Sequence, residues 1–139
     1  MARSSRHLAR RCAVQALYQW DITGQPSTDI ESNFIKNEKL SGKHREYFIR
    51  IIENIPMRVE QIDGLLSPYL DRNLEKIDPI EHAILRVGSY ELLFEADVPS
   101  KVIIDEAIDL AKIFSSENGF KFINGVIDKI AKEVRPFEA

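Results

Sequence analysis

Apolar residues recur along this chain at steps of three and four, the spacing that stacks them on one face of an α-helix. No segment alternates as a strand would. The first such stretch runs from Ser5 to Trp20. Leu8, Cys12, Ala16 and Trp20 form a row that Ala9, Ala13 and Leu17 widen, while Arg3, His7, Arg10, Arg11 and Tyr18 fall on the opposite side. Gly24 and Pro26 end it. Thr28-Asp29-Ile30-Glu31 has the pattern of a capping box. It opens a second helix that turns Ile30, Phe34 and Ile35 inward and stops near Leu40-Ser41-Gly42. From about Lys43 to Leu66, Phe48, Ile51, Ile52, Ile55, Val59, Ile62 and Leu66 follow at steps of 3, 1, 3, 4, 3 and 4. Pro56 lies inside that stripe. It removes a backbone bond, but the stripe keeps its phase, which predicts one kinked helix rather than two.

Ser67-Pro68 reads as a cap followed by a first-turn proline, opening a short helix to about Leu74. Asp78-Pro79-Ile80-Glu81 repeats the signal. The helix it starts, Pro79 to Glu95, is apolar on two sides: Ile80, Ala83, Ile84, Val87 and Phe94 on one, Leu85 and Leu92 on the other. An element apolar on both sides belongs in the middle of a pack. Asp97 to Ser100 breaks the chain, and another helix follows from Val102 to Phe114. Ser115 to Gly119 is turn chemistry, and a last helix runs from Phe120 to about Val134. Six or seven helices with short loops predict an all-α fold, a single compact helical bundle over residues 1–139.

Charge changes this picture at one place. Residues 1–20 hold four arginines and no acid, which leaves 15 basic against 22 acidic side chains in the rest of the chain. Cations at a helix N-terminus oppose the macrodipole by roughly 0.3–1 kcal/mol each. Three readings fit that cluster: a solvated amphipathic face, an Arg- and Ser-rich organelle leader, or an anion-binding surface with Tyr18 as a stacking ring. The lone Cys12 excludes an internal disulfide, fits a reducing cytoplasm and faces the apolar row as a buried thiol. No apolar run reaches the ~20 residues of a membrane span. His7, His44 and His82 lie too far apart to share a helical turn, and no phosphate loop or nucleophile elbow is present. The expectation is no metal, no cofactor and no catalysis.

Four stretches together resemble one family. They are Arg10-Arg11-Cys12-Ala13-Val14-Gln15-Ala16-Leu17-Tyr18-Gln19-Trp20, Ile84-Leu85-Arg86-Val87-Gly88-Ser89-Tyr90-Glu91-Leu92, Val98 to Lys112, and Lys121-Phe122-Ile123-Asn124-Gly125-Val126-Ile127-Asp128. The chain is similar to the bacterial transcription antitermination factor NusB family over its whole length, with residues 25–60 matching in pattern alone. The resemblance implies a cytoplasmic, non-enzymatic protein that recognises the boxA element of ribosomal RNA transcripts as a single strand. Its partners would be the small-subunit ribosomal protein that acts as NusE and the RNA polymerase antitermination complex. The same domain opens certain ribosomal RNA methyltransferases, and the expectation here is that no methyl-transfer domain follows. Pro56 departs from the family's straight third helix.

On this reading Arg3, Arg6, His7, Arg10 and Lys121 meet RNA, with phosphates falling to the arginines and the lysine, while Tyr18, Tyr69, Phe114 and Phe122 are the stacking candidates. The alternative is a protein-interaction module. Asp71, Glu75, Asp78 and Glu81 follow at steps of 4, 3 and 3 as an acidic ridge, and Glu75, Asp78, Glu81 and His82 are its partner-binding candidates. A DNA-binding helix-turn-helix fits least, because no helix pair carries a basic recognition helix.

Overall fold

The computed structural model describes residues 6–138. Arg3 lies outside the described residues. Among the described residues seven α-helices follow one another: α1 (His7–Thr23), α2 (Ser27–Asn37), α3 (Gly42–Met57), α4 (Val59–Leu66), α5 (Pro79–Phe94), α6 (Ser100–Phe114) and α7 (Glu117–Val134). Short 3-10 turns occupy Ser67–Tyr69, Leu74–Lys76 and Pro136–Glu138, and among the described residues there is no strand. The fold is all-α, as the periodicity predicts.

α5 sits at the centre, touching α1, α3, α4, α6 and α7, and every residue from His82 to Leu92 on it is buried. Its start is written locally. Asp78 Oδ1 accepts the backbone N–H groups of Ile80 at 2.9 Å and Glu81 at 3.3 Å, and Pro79 follows where no donor is needed. α1 closes on Gly24, whose φ of 71° lets its N–H return to the Trp20 carbonyl at 3.0 Å. Tyr47, Phe48, Ile51, Ile52 and Ile55 bury one side of α3. Each large apolar side chain so covered contributes about 1.5–3 kcal/mol. Cys12 is fully buried, and burial pushes its thiol up to about 11, with Glu38 adding to the shift.

Four local expectations change. The stretch 43–66 is two helices, not one kinked helix, with Arg58 between them. Pro56 supplies no N–H, and two residues later the Arg58 N–H bonds both Asn54 O and Ile55 O as the turn tightens. The stripe still runs through the break, because Ile62 and Leu66 are buried beyond it. The helix expected over 67–74 is two 3-10 turns separated by extended backbone. Ser67 is itself in helical conformation (φ −51°, ψ −45°), so it continues α4 rather than capping a new element. The capping box of α2 does not form: the helix begins at Ser27 without a side-chain cap. Glu31 is half-buried, and its carboxyl is pushed up to about 7 by burial and then by Glu53. Finally, α7 starts at Glu117, because the Ser116 hydroxyl accepts the Gly119 N–H at 3.1 Å and turns the expected loop into a first helical turn.

Candidate nucleic-acid interface

The arginine-rich start of α1 has no acid of its own, and the fold brings acids to it. Arg10 forks onto Glu91 of α5, with Nε donating to Oε1 at 2.8 Å and Nη2 to Oε2 at 2.8 Å, while Nη1 reaches Glu106 of α6 at 3.2 Å. The Tyr47 hydroxyl donates to Glu91 at 2.5 Å, and His7 Nδ1 lies 2.7 Å from Glu106. Burial alone would weaken the charge on Arg10, but Glu91 and then Glu106 overcome it and raise its pKa. Arg10 is 1% exposed and His7 8%. The expectation that both face solvent is therefore corrected. The cause is a row omitted from the helical wheel: Val14, fully buried, lies one turn after Arg10, so the covered face of α1 extends over His7, Arg10 and Val14. Val14 was the readable signal. The acidic partners of Arg10, 81 and 96 residues away, were not.

Around that buried fork lies a polar cleft of ≈ 520 Å³, lined by Arg6, Lys43, Tyr47, Arg50, Asp97 and neighbours. Arg6 stacks over the Tyr47 ring at 4.4 Å and pairs with Asp97 at 3.3 Å. Arg50 approaches the same ring at 5.2 Å and pairs with Glu95 at 3.0 Å. Lys43 and Arg50 were missed in the sequence. They sit on α3, where polar residues between core positions look like any solvated face.

At the other end of α5, a second cleft of ≈ 520 Å³ gathers Arg72, Lys76, Asp78, Glu81, Asn118 and Phe122. Phe122 is half-buried beneath the Arg72 guanidinium at 4.7 Å, and Glu81 accepts the Ser115 hydroxyl at 2.7 Å. Gly119 permits this approach. A Cβ there would stand 1.8 Å from Ser115 Oγ and 2.5 Å from a Glu81 oxygen. Lys121 is exposed and pairs with Glu117 one turn earlier at 3.4 Å, and Phe114 closes α6 half-buried.

The acidic ridge is not continuous. Glu75 and Asp78 are exposed, but Arg72 and Lys76 interrupt them, Asp71 is held by Arg72 at 2.6 Å, and Glu81 is half-buried. His82 is corrected outright: it is 6% exposed and turns inward to Asp63 at 2.9 Å. Arg86 closes the same carboxylate with bonds of 3.0 and 2.8 Å. Burial would raise Asp63, but the hydrogen bonds from His82 and Arg86 and their charges hold it at about 2. Tyr69 does not join Phe122. Its hydroxyl donates to Glu133, eleven residues further along α7, or about 16 Å of helix. Tyr18, 40% exposed, stays on the outer face of α1 as expected.

Among the described residues no three His, Cys, Asp or Glu side chains are grouped to hold a metal ion. No helix among them is long and apolar enough to cross a membrane. Both clefts hold paired charges, and the second adds the half-covered Phe122 ring, a surface suited to recognising charged, planar groups. The model of the NusB family matches residues 7–132. The chain belongs to the NusB family. The Transcription antitermination protein NusB of Alcanivorax borkumensis is 45% identical over 136 residues, covering 98% of this chain and 91% of its own. That of Pasteurella multocida is 48% identical over 128 residues, covering 92% and 89%. Among solved structures, NusB of T. maritima superposes with a TM-score of 0.83 at 36% identity, over 95% of this chain and 94% of its own. NusB in a crystal structure with NusE and double-stranded RNA superposes with a TM-score of 0.85 at 26% identity, over 92% and 96%.

Proposed function

We propose that this NusB-family chain is a non-enzymatic, cytoplasmic antitermination factor. It binds the boxA element of ribosomal RNA transcripts as a single strand, together with the ribosomal protein that acts as NusE, within the RNA polymerase complex. The observation that carries the RNA and NusE part of the reading is the match, over 92% of the chain, to an antitermination factor solved with NusE and double-stranded RNA, while boxA and the single strand follow from the sequence resemblance. The surface supports it. Tyr18 stands exposed on α1, Phe122 and Phe114 are half-covered at the end where α6 meets α7, and the Arg6 side chain keeps 30% of its surface in solvent. Phosphates fall to Arg3, Arg6 and Lys121, while His7 and Arg10 hold α1 in place through Glu91 and Glu106. Tyr69, tied to Glu133, is a marginal stacking position.

The test is a titration of boxA single-stranded RNA across salt concentration. Three phosphate contacts predict a log–log slope of about −2. Arg6→Ala flattens it by about 0.7 and weakens all sequences alike. Tyr18→Ala costs about 1–3 kcal/mol at an unchanged slope. Parental slope and affinity in both variants overturn the reading. A module that binds only a basic protein is the second reading, favoured by the exposure of Glu75 and Asp78. It predicts partner binding without RNA affinity.

A further inference from the structure

Between α1 and α2 lies a groove of ≈ 390 Å³ lined by Gln15, Gln19, Asn33, Phe34, Asn37 and Glu38. Four of these six side chains are carboxamides, one is a ring and one a carboxylate; no lysine or arginine lines it. Gln19 is occupied, donating to Gln25 Oε1 at 2.7 Å. The side chains of Gln15, Asn33 and Asn37 make no hydrogen bond among the described residues, and Asn33 and Asn37 are exposed. Phe34 is half-buried and stacks on Phe48 at 6.0 Å with planes 28° apart, which fixes the ring in the groove wall.

The residues beside the groove matter equally. At 100° per residue, Arg11, Gln15, Tyr18 and Ile22 lie within about 60° of one another on α1. Tyr18 and Ile22 are exposed at 40% and 55%. Arg11 has its Nε buried without a hydrogen-bond partner, and it makes no ion pair among the described residues. A half-buried cation outside any ion pair among the described residues, an exposed ring and a groove of unused amides thus follow one another along a single edge of the protein.

We propose that this α1–α2 groove is a base-reading subsite selective for adenine, on the path of the strand that stacks on Tyr18. The inference rests on the RNA-binding reading above and deepens it. A carboxamide presents a donor and an acceptor in one plane and pairs bidentately with adenine N6–H and N7. The Glu38 carboxylate adds a second acceptor for the amino group and repels the carbonyl oxygen that uracil carries there. Phe34 offers a stacking surface. With no cation inside and the Glu38 carboxylate in its wall, the groove disfavours a phosphate charge, so the backbone stays outside on the Arg11 side. The volume accommodates one base rather than a folded element.

The test compares labelled oligo(A) and oligo(U) of equal length on the wild-type chain, on the double variant Asn33→Ala/Asn37→Ala, and on Tyr18→Ala. Both asparagines are exposed and helical, where alanine is the better helix former, so the double variant folds. The wild type should prefer oligo(A) about tenfold, as one bidentate pair allows. In the double variant the preference should fall below about twofold with oligo(U) affinity retained, whereas Tyr18→Ala should weaken both and keep the ratio. A double variant with the parental ratio overturns the subsite and leaves RNA binding standing. If neither oligonucleotide binds the wild type, the adenine subsite falls, and the boxA titration decides the RNA-binding reading separately. Adenosine monophosphate competing as well as oligo(A) overturns the strand as the source of the base.

Discussion

The two ends of α5 carry similar side chains and use them in opposite ways. At its C-terminal end, Arg10, His7, Glu91, Glu106 and Tyr47 close on one another away from solvent. At its N-terminal end, about 15 Å away, Asp78, Arg72, Lys76 and Lys121 remain exposed around the Phe122 ring. Both ends are dense in charge. The first is answered from within the chain, since buried cations need carboxylates at hydrogen-bonding distance and α5 and α6 supply them. The second is answered by short pairs on the surface, each worth little and easily exchanged for a ligand. A cluster of arginines is therefore a poor guide to a binding site until the acids folded against it are known.

The strongest way to break this comparison is to remove an acid from each end. Glu91→Ala leaves Arg10 buried without its main partner and should cost about 3–5 kcal/mol of unfolding free energy, read from the denaturant midpoint. Glu75→Ala should stay within about 0.5 kcal/mol of the parent. Equal midpoints for the two variants would sink the distinction between closed and open ends.

Asp63 sharpens it by pH. Its folded pKa of about 2 lies below the ordinary value of about 3.9, so the carboxylate form is favoured by folding. That stability is present in full above about pH 4 and is lost as pH falls through 2. Asp63→Asn should lower stability by on the order of 2 kcal/mol at pH 7, and the deficit should shrink toward nothing near pH 2. A deficit that persists unchanged at pH 2 would assign Asp63 a role other than its charge.

The smallest effect belongs to the open end. Glu75→Lys should leave the thermal midpoint unchanged but slow association with the ribosomal protein, with the difference fading as salt is added. Stopped-flow mixing at two ionic strengths reads this directly. Unchanged association at low salt would make Glu75 a solvated side chain and move the partner surface elsewhere.

Much of the architecture can be read from local pattern. The double-sided α5, its Asp78-Pro79 start, the buried Cys12 and the Gly24 stop each depend on residues within a turn or two of one another. Periodicity also placed Tyr18 outside and Ile55, Ile62 and Leu66 inside. Local pattern fails where two signals compete within a few residues: Ser67 continues α4 instead of capping, and Glu31 packs near Glu53 instead of reaching back to Thr28. Phe122 was legible as a ring beside a lysine, but the Arg72 guanidinium above it was not.

By itself, then, the sequence determined that this chain is helical and which helix lies at the centre, because helix geometry converts spacing directly into faces, and four of its stretches carried the resemblance to its family. Tertiary structure alone decided which charges are answered inside the protein. Arg10 and Glu91 are 81 residues apart, His82 and Asp63 are 19, and no helical wheel contains both members of either pair. A charge is buried or displayed according to what folds against it, and that partner is chosen by packing rather than by spacing.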